Sequence, residues 1–294
     1  MGKLRIGEYT VETSSLDKVL FPGDGITKGE LIDYYHRIAD AMVPHMRGRP
    51  LSMRRYPDGI SGPGFYQQEA PEYFPDWIER VTVEKEGGQI VHAICNDAAT
   101  LVYLANQNTI TPHVWLSCRD HVRKPDQIIF DLDPSGDDFA AVRTAAHYVR
   151  GILEEHDLDA YVMTTGSSGV HVRAPIRPEH DFDLVRGFAR RLAGVLAEKH
   201  PEEVTTEQRK NKRQGRIYLD VMRNAYAQTA VAPYAVRALE GAPIATPIEW
   251  DELRDANPQR YTIHNIFRRM GQKKDPWANM YRAAARLRSE LVSV

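Results

Sequence analysis

The stretch from residue 127 to residue 222 constrains the fold more than any other part of the chain. Four short apolar runs, Ile128 to Asp133, Ala160 to Thr164, Val170 to Ala174 and Ile217 to Met222, read as strands. Two longer stretches, Ala140 to Glu155 and Phe182 to Lys199, have helical apolar spacing and separate three of those strands. Strands with one apolar face must lie in a sheet, and amphipathic helices must cover a face of it. The expectation is therefore a mixed α+β sheet. Upstream, Lys18 to Gly25 (KVLFPGDG) reads as a short strand and a Pro/Gly turn. Thr27 and Glu30 have capping-box spacing for a helix running to about Met46. Leu51 to Tyr56 reads as a strand, GISGPGF as a turn-rich loop carrying the aromatic pair Phe65 and Tyr66, and Asp97 to Gln107 as a helix.

No internal repeat, low-complexity tract or Pro/Gly/Ser-rich linker divides the 294 residues. The chain 1–294 is expected to be a single domain, with possible lobes at about 1–110 and 111–294. With 42% apolar and 27% charged residues, a disordered or disulfide-stapled chain is excluded. Charges at Lys3, Arg5, Glu8 and Glu12 replace an apolar signal core, and no run of ~18 apolar residues occurs, so no membrane partner is expected and a cytoplasmic location is. Cys95 and Cys118 lie in separate segments without zinc-ligand spacing. Net charge is only −2, but its distribution is uneven. Acids gather at Asp131, Asp133, Asp137 and Asp138; bases gather from Arg47 to Arg55, Arg209 to Arg216 and Arg260 to Arg288. A metal-dependent enzyme acting on polyanions needs that pattern, and ordinary solvated faces also produce it.

The sharpest local signal is Gln-Ile-Ile-Phe-Asp-Leu-Asp-Pro, ending at Pro134. Alternation on a strand puts Asp131 and Asp133 on one face, with Ile128, Phe130 and Leu132 buried on the other. Two carboxylates so close raise a pKa or demand a cation, for which Mg²⁺ or Mn²⁺ with oxygen ligands is the usual answer. A bare Asp-x-Asp also arises when one Asp makes an Asx turn and the other is solvated. Asp220 lies mid-strand in Ile217 to Met222, with Tyr218 and Met222 on its face. A strand Asp among apolar neighbours needs a metal or a nearby arginine. Three carboxylates from two strands are the frame of a two-metal phosphoryl or nucleotidyl transfer site. Between them, Thr164 to Arg173 holds two glycines and four hydroxyl residues, suited to wrapping phosphate oxygens. His171 and Arg173 share a strand face there and could add donors to one polyphosphate; a generic hairpin is the other reading.

The ordered set LDKVLFP, GFYQQ, LANQNTITPHVW, IIFDLDP, TGSSGVHV, IYLDVMRNAYAQTAVAPYAVR and DPW, from about Ser14 to Trp277, resembles the polymerase domain of the bacterial ligase D family, in the archaeo-eukaryotic primase superfamily. The resemblance implies an α+β, two-lobed primase-like fold with an RRM-like catalytic sheet and a smaller N-terminal lobe packed on it. It implies a template-dependent nucleotidyltransferase that adds nucleotides, preferably ribonucleotides, to DNA 3′-ends during nonhomologous end joining. Implied cofactors are two Mn²⁺ (or Mg²⁺) ions. Implied partners are gapped or broken DNA with a 5′-phosphate, nucleoside triphosphates, Ku and a DNA ligase, in a nucleoid-associated cytoplasmic setting. Carried over by position, Asp131, Asp133 and Asp220 match the metal-binding catalytic acids, with Asp220 serving the primer 3′-hydroxyl. Ser167, His171, Arg213 and Arg237 match triphosphate-binding positions, and His113 matches a histidine that contacts the incoming sugar and phosphates. Asn224 and Tyr234 support the site, Phe65 and Tyr66 keep the aromatic character for template stacking, and Lys18 and Lys28 match lysines that hold the downstream 5′-phosphate. Ser168 and Gln68 stand where the family often has Lys, and Ser15 where Asn is common. The competing readings are a non-catalytic end-bridging module and a two-metal phosphodiesterase or nuclease; the acids argue against the first and the triphosphate loop against the second.

Overall fold

Two antiparallel hairpins open the chain, β1 (Gly2–Ile6) with β2 (Tyr9–Thr13) and β3 (Val19–Phe21) with β4 (Ile26–Thr27). In the computed structural model, residues 2–134, 136 and 139–287 are described; Asp137 and Asp138 of the acidic run lie outside them. Thr27 then caps α1 (Lys28–Met46) as its spacing demands: Glu30 N–H donates to Thr27 Oγ1 at 3.2 Å and Thr27 N–H to Glu30 Oε2 at 2.8 Å. There follow β5 (Leu51–Arg55), β6 (Phe65–Gln67), β7 (Arg80–Lys85), β8 (Gly88–Ala93), α2 (Ala98–Asn106) and β9 (Thr109–Trp115). The turn-rich loop stops short of the aromatic pair. Phe65 and Tyr66 enter an edge strand because Arg55 and Arg54 lie directly across the ladder from them.

The central stretch gives β10 (Gln127–Asp133), α3 (Phe139–Glu154), β11 (Tyr161–Thr164), β12 (Val170–Pro175), α4 (Phe182–Lys199), β13 (Val204–Thr205) and β14 (Ile217–Asp220). Then come β15 (Thr229–Val231), β16 (Thr246–Ile248) and a short α5 (Ile266–Met270). Two compact units share the chain: residues up to 120 with 229–245 and 261–273, and residues 121–228 with 246–260 and 274 onward.

In the first unit a four-stranded antiparallel sheet runs β15-β9-β5-β6. Helix α1 is tied to it by Tyr35, whose hydroxyl donates to Ile110 O at 2.6 Å and accepts from Val236 N–H at 3.1 Å. In the second unit a six-stranded sheet runs β13-β14-β10-β12-β11-β16, antiparallel throughout except for the β13/β14 pair. Its inner part, β10-α3-β11-β12-α4-β14, is a βαββαβ unit with strand order 4-1-3-2, the RRM-like arrangement the resemblance implied. Ile128, Phe130 and Leu132 are fully buried on alternate positions of β10, each contributing about 1.5–3 kcal/mol of apolar burial. The polar residues of the same strand are thereby forced onto the opposite face. Among the described residues no helix is long and apolar enough to cross a membrane.

Candidate active site

Strand β10 lies between β12 and β14, and its register aligns Asp131 with His171 on one side and with Asp220 on the other. Cross-strand partners share a face, so the three form a row over three strands. Asp133, one step along the same face, is paired with Tyr218. One carboxylate oxygen from each of Asp131, Asp133 and Asp220 lies within 4.8 Å of the others, the one such ion-sized acidic or His/Cys grouping among the described residues. Burial, then repulsion from Asp131 and Asp220, pushes the Asp133 carboxyl up to about 6 against the opposing pull of Arg213 and Arg223. A carboxylate forced toward its neutral form by its neighbours is a site short of positive charge. Its donors are all oxygen, which suits Mg²⁺ or Mn²⁺ and not a soft metal.

The third acid is pinned from two sides: its Oδ1 accepts from Met222 N–H at 2.7 Å and from the Tyr218 hydroxyl at 3.4 Å. Burial and Asp220 push the Tyr218 phenol up to about 12, so it remains a donor. The Arg213 guanidinium lies 4.2 Å from the centroid of that ring. The bond to Met222 also ends the strand. The alternation predicts one strand over Ile217 to Met222, but β14 stops at Asp220 and Met222–Asn224 form a 3₁₀ turn. That turn aims Asn224 back at β10, where its amide accepts from Ile129 N–H at 2.9 Å and donates to Ile129 O at 2.7 Å. Asn224 thus extends the ladder two residues before Asp131. The same turn carries Arg223, whose Nε lies 3.6 Å from Asp131 Oδ2. Arg223 was not among the residues singled out from the sequence; its position three after Asp220 was the available signal.

The loop between β11 and β12 packs against the end of β10. A Cβ on Gly169 would meet Leu132 O at 2.5 Å, so only glycine fits, and the same point is 3.6 Å from Asp133 Oδ1. Thr165 Oγ1 organises the loop, accepting from Gly169 N–H at 3.2 Å and Ser167 N–H at 3.4 Å and meeting Ser167 Oγ at 2.9 Å. Ser167 and Ser168 line a cavity of about 440 Å³ with Pro134, Phe139, Arg143 and Gln259. His171 Nε2 is 3.3 Å from Asp131 Oδ1, so this histidine faces the acids. Arg173 shares its face, as expected, but is only 1% exposed and does not reach solvent. The ring of Trp277 covers it, with the guanidinium carbon 5.4 Å from the ring centroid.

The second unit therefore gathers Asp131, Asp133, Asp220, Ser167, His171 and Arg213 around one end of β10. The first unit carries the remaining candidates. His113 on β9 and Tyr66 on β6 meet edge to face at 5.4 Å, and Arg54 lies 5.4 Å from the Tyr66 ring. Phe65, adjacent in the strand, points to the other face of the sheet beside Arg55. Arg237 bonds Pro243 O through its backbone and lies near Tyr56. Tyr234 is fully buried in a left-handed conformation, φ 65°, and its carbonyl accepts from the Tyr34 hydroxyl. Lys28, the first residue of α1, is 3% exposed, and burial and then Lys18 depress its ammonium pKa. Lys28 N–H donates to Lys18 O at 2.8 Å, which holds the two lysines together. Lys18 Nζ lies 3.4 Å from Asp58. Ser15, at φ 51°, occupies the left-handed region that Asn tolerates well.

The family described as "LigD, primase-polymerase domain" matches residues 27–277. The multifunctional non-homologous end joining protein LigD of Mycolicibacterium smegmatis is 32% identical over 90% of this chain. The bifunctional non-homologous end joining protein LigD of Bacillus subtilis is 30% identical over 92% of it. The chain spans 35% and 44% of those two proteins. The solved polymerase domain of Mycobacterium tuberculosis ligase D in complex with DNA superposes with a TM-score of 0.86 at 28% identity, covering 93% of this chain and 99% of that one.

Proposed function

Because this chain belongs to the LigD primase-polymerase domain family, and so to the polymerase-type nucleotidyltransferases, we propose that it adds nucleotides, ribonucleotides in preference, to DNA 3′-ends in gap filling and end processing during nonhomologous end joining. The observation that carries this reading is the trio Asp131, Asp133 and Asp220 within 4.8 Å, on the face of an RRM-like sheet opposite Ile128, Phe130 and Leu132 and beside the Gly169 loop. Those three residues would hold two Mn²⁺ or Mg²⁺ ions, which supply the charge that activates a 3′-hydroxyl and stabilises the phosphoryl group in transfer. The protein's own part is to orient and neutralise. Tyr218 and Met222 N–H fix Asp220, Asn224 fixes β10 just ahead of Asp131, and Arg213 and Arg223 offset negative charge around Asp133. Ser167, His171 and Arg213 are the proposed triphosphate ligands in this unit. His113 and Arg237 are further proposed contacts of the incoming nucleotide, and Tyr66 is the proposed platform for a template base, with Phe65 on the opposite face of the same strand.

Lys18 and Lys28 are the proposed 5′-phosphate site. A buried ammonium at a helix N-terminus, depressed by burial and a second lysine, gains most from an anion. Gapped or broken DNA, nucleoside triphosphates, Ku and a ligase are the corresponding partners, on the nucleoid. The test is extension of a labelled primer on a gapped duplex, with ribonucleotides and deoxyribonucleotides compared under Mn²⁺ and Mg²⁺. Longer products, favouring ribonucleotides with Mn²⁺, support the reading. Shortened primer points to a nuclease, unchanged primer that is bound points to an end-bridging module, and either outcome refutes it.

A further inference from the structure

We propose that Arg173 is a positioning residue that fixes the tautomer of His171, so that a ring N–H, and not a bare ring nitrogen, faces the acidic centre. Arg173 follows His171 by two residues on β12 and points to the same face of the sheet. Its guanidinium is held under Trp277, and Nη1 donates to Gln127 Oε1 at 3.2 Å. Nη2 lies 3.3 Å from His171 Nδ1. A guanidinium has donors only, so Nδ1 must accept, and the neutral ring's proton then sits on Nε2. Nε2 is the nitrogen 3.3 Å from Asp131 Oδ1. The partners on the two sides of the ring thus require the same tautomer. The resulting chain, Arg173 to His171 to Asp131, runs from a buried cation to an acid of the centre.

The chemistry explains why a charged group occupies so buried a place. An apolar side chain would pack beneath Trp277 at lower desolvation cost, so burial alone does not account for an arginine here. A ring N–H aimed at the centre is attractive to any oxyanion there, whether the Asp131 carboxylate or a phosphate oxygen. A lone pair in its place would repel both. Outer partners of this kind orient the groups that bind a ligand, and their loss typically weakens binding or activity about tenfold to a hundredfold. The phosphate part rests on the nucleotidyl-transfer reading; the tautomer does not.

The test uses metal-free protein with ¹⁵N-labelled imidazoles, wild type against Arg173→Met and Arg173→Lys, with His171→Gln to assign the signal. Long-range ¹H–¹⁵N spectra should show a single Nε2–H tautomer for wild-type His171 and a mixture with the Nδ1–H form in Arg173→Met. Equilibrium binding of ATP with Mn²⁺ should weaken about tenfold in Arg173→Met and recover in part in Arg173→Lys, which keeps a donor on a shorter stem. Near-UV circular dichroism checks that each variant folds, and if Arg173→Met does not, the wild-type spectrum and Arg173→Lys decide. A wild-type ring protonated on Nδ1, or a folded Arg173→Met in which His171 keeps the single Nε2–H tautomer, overturns the proposal. A wild type that fails to extend primers while keeping the Nε2–H tautomer refutes the polymerase reading and leaves the role of Arg173 standing.

Discussion

Asp133 meets Asp131 and Asp220 at close range, and its ionisation works against the fold. Its carboxyl is raised from an ordinary value near 3.8 to about 6, so the folded chain holds that proton more tightly than the unfolded one. The stabilisation from the protonated form is complete below about pH 4 and is lost as pH rises through about 6. Metal-free Asp133→Asn, neutral at every pH, should therefore match wild type near pH 4 and exceed it above pH 6, by no more than about 3 kcal/mol and less with solvent screening. Urea unfolding of both proteins across that range reads the difference; a constant gap would show that repulsion at Asp133 does not set it. In the catalytic assay, Asp131→Ala, Asp133→Ala and Asp220→Ala should each lower nucleotide addition at least about a thousandfold, the scale of several kcal/mol lost at a metal-assisted step. DNA binding, measured by fluorescence anisotropy, should stay near wild type, because removing acids does not weaken attraction to phosphate. The acids were readable because strand alternation alone puts Asp131 and Asp133 on one face. Arg223 was not, since its approach to Asp131 depends on a 3₁₀ turn that no period-two pattern announces.

At the scale of single elements, short side-chain clamps do what longer strands would otherwise do. Asn224 replaces a ladder partner for β10, satisfying both polar groups of Ile129 in a fully buried setting. Asn224→Ala leaves them unmatched and should cost about 2–4 kcal/mol in chemical denaturation, whereas a change under 1 kcal/mol would mean that water or a neighbour takes over the clamp. The first turn of α1 offers a second case. Lys18→Ala combined with Lys28→Ala should abolish any preference for a 5′-phosphorylated gap while leaving affinity for the unphosphorylated gap within about threefold, because charge-assisted bonds of roughly 1.5–3 kcal/mol each reach only the phosphate. Titrating both gapped duplexes with wild type and the double variant measures this; a preference that survives the substitutions places the phosphate elsewhere. The α1 boundary itself was legible from Thr27 and Glu30. Strand β9 was not, because Pro112 sits in its middle, and proline in a central strand argues against a strand.

The whole molecule is interleaved. The chain passes from the first unit to the second after residue 120, returns at 229–245 and again at 261–273, and leaves twice more. Turn residues mark where elements stop but carry no record of which sheet the next one joins, so lobes drawn as contiguous halves were as far as the sequence could be read. Fragments cut at the obvious boundary should fail for a stated reason. Residues 2–120 lack β15, the neighbour of β9, and residues 121–228 lack β16 and Trp277, whose indole donates to Val162 O at 3.2 Å. Thermal melts of each fragment should lack the sharp cooperative transition of the intact chain; a fragment melting as sharply as the whole would show that the returning segments are dispensable. The same interleaving sets a timetable on the ribosome. At about 5–20 residues per second, roughly 5–20 s separate completion of β9 from emergence of β15. Throughout that interval the nascent β9 offers a bare strand edge, open to chaperones and to neighbouring nascent chains alike.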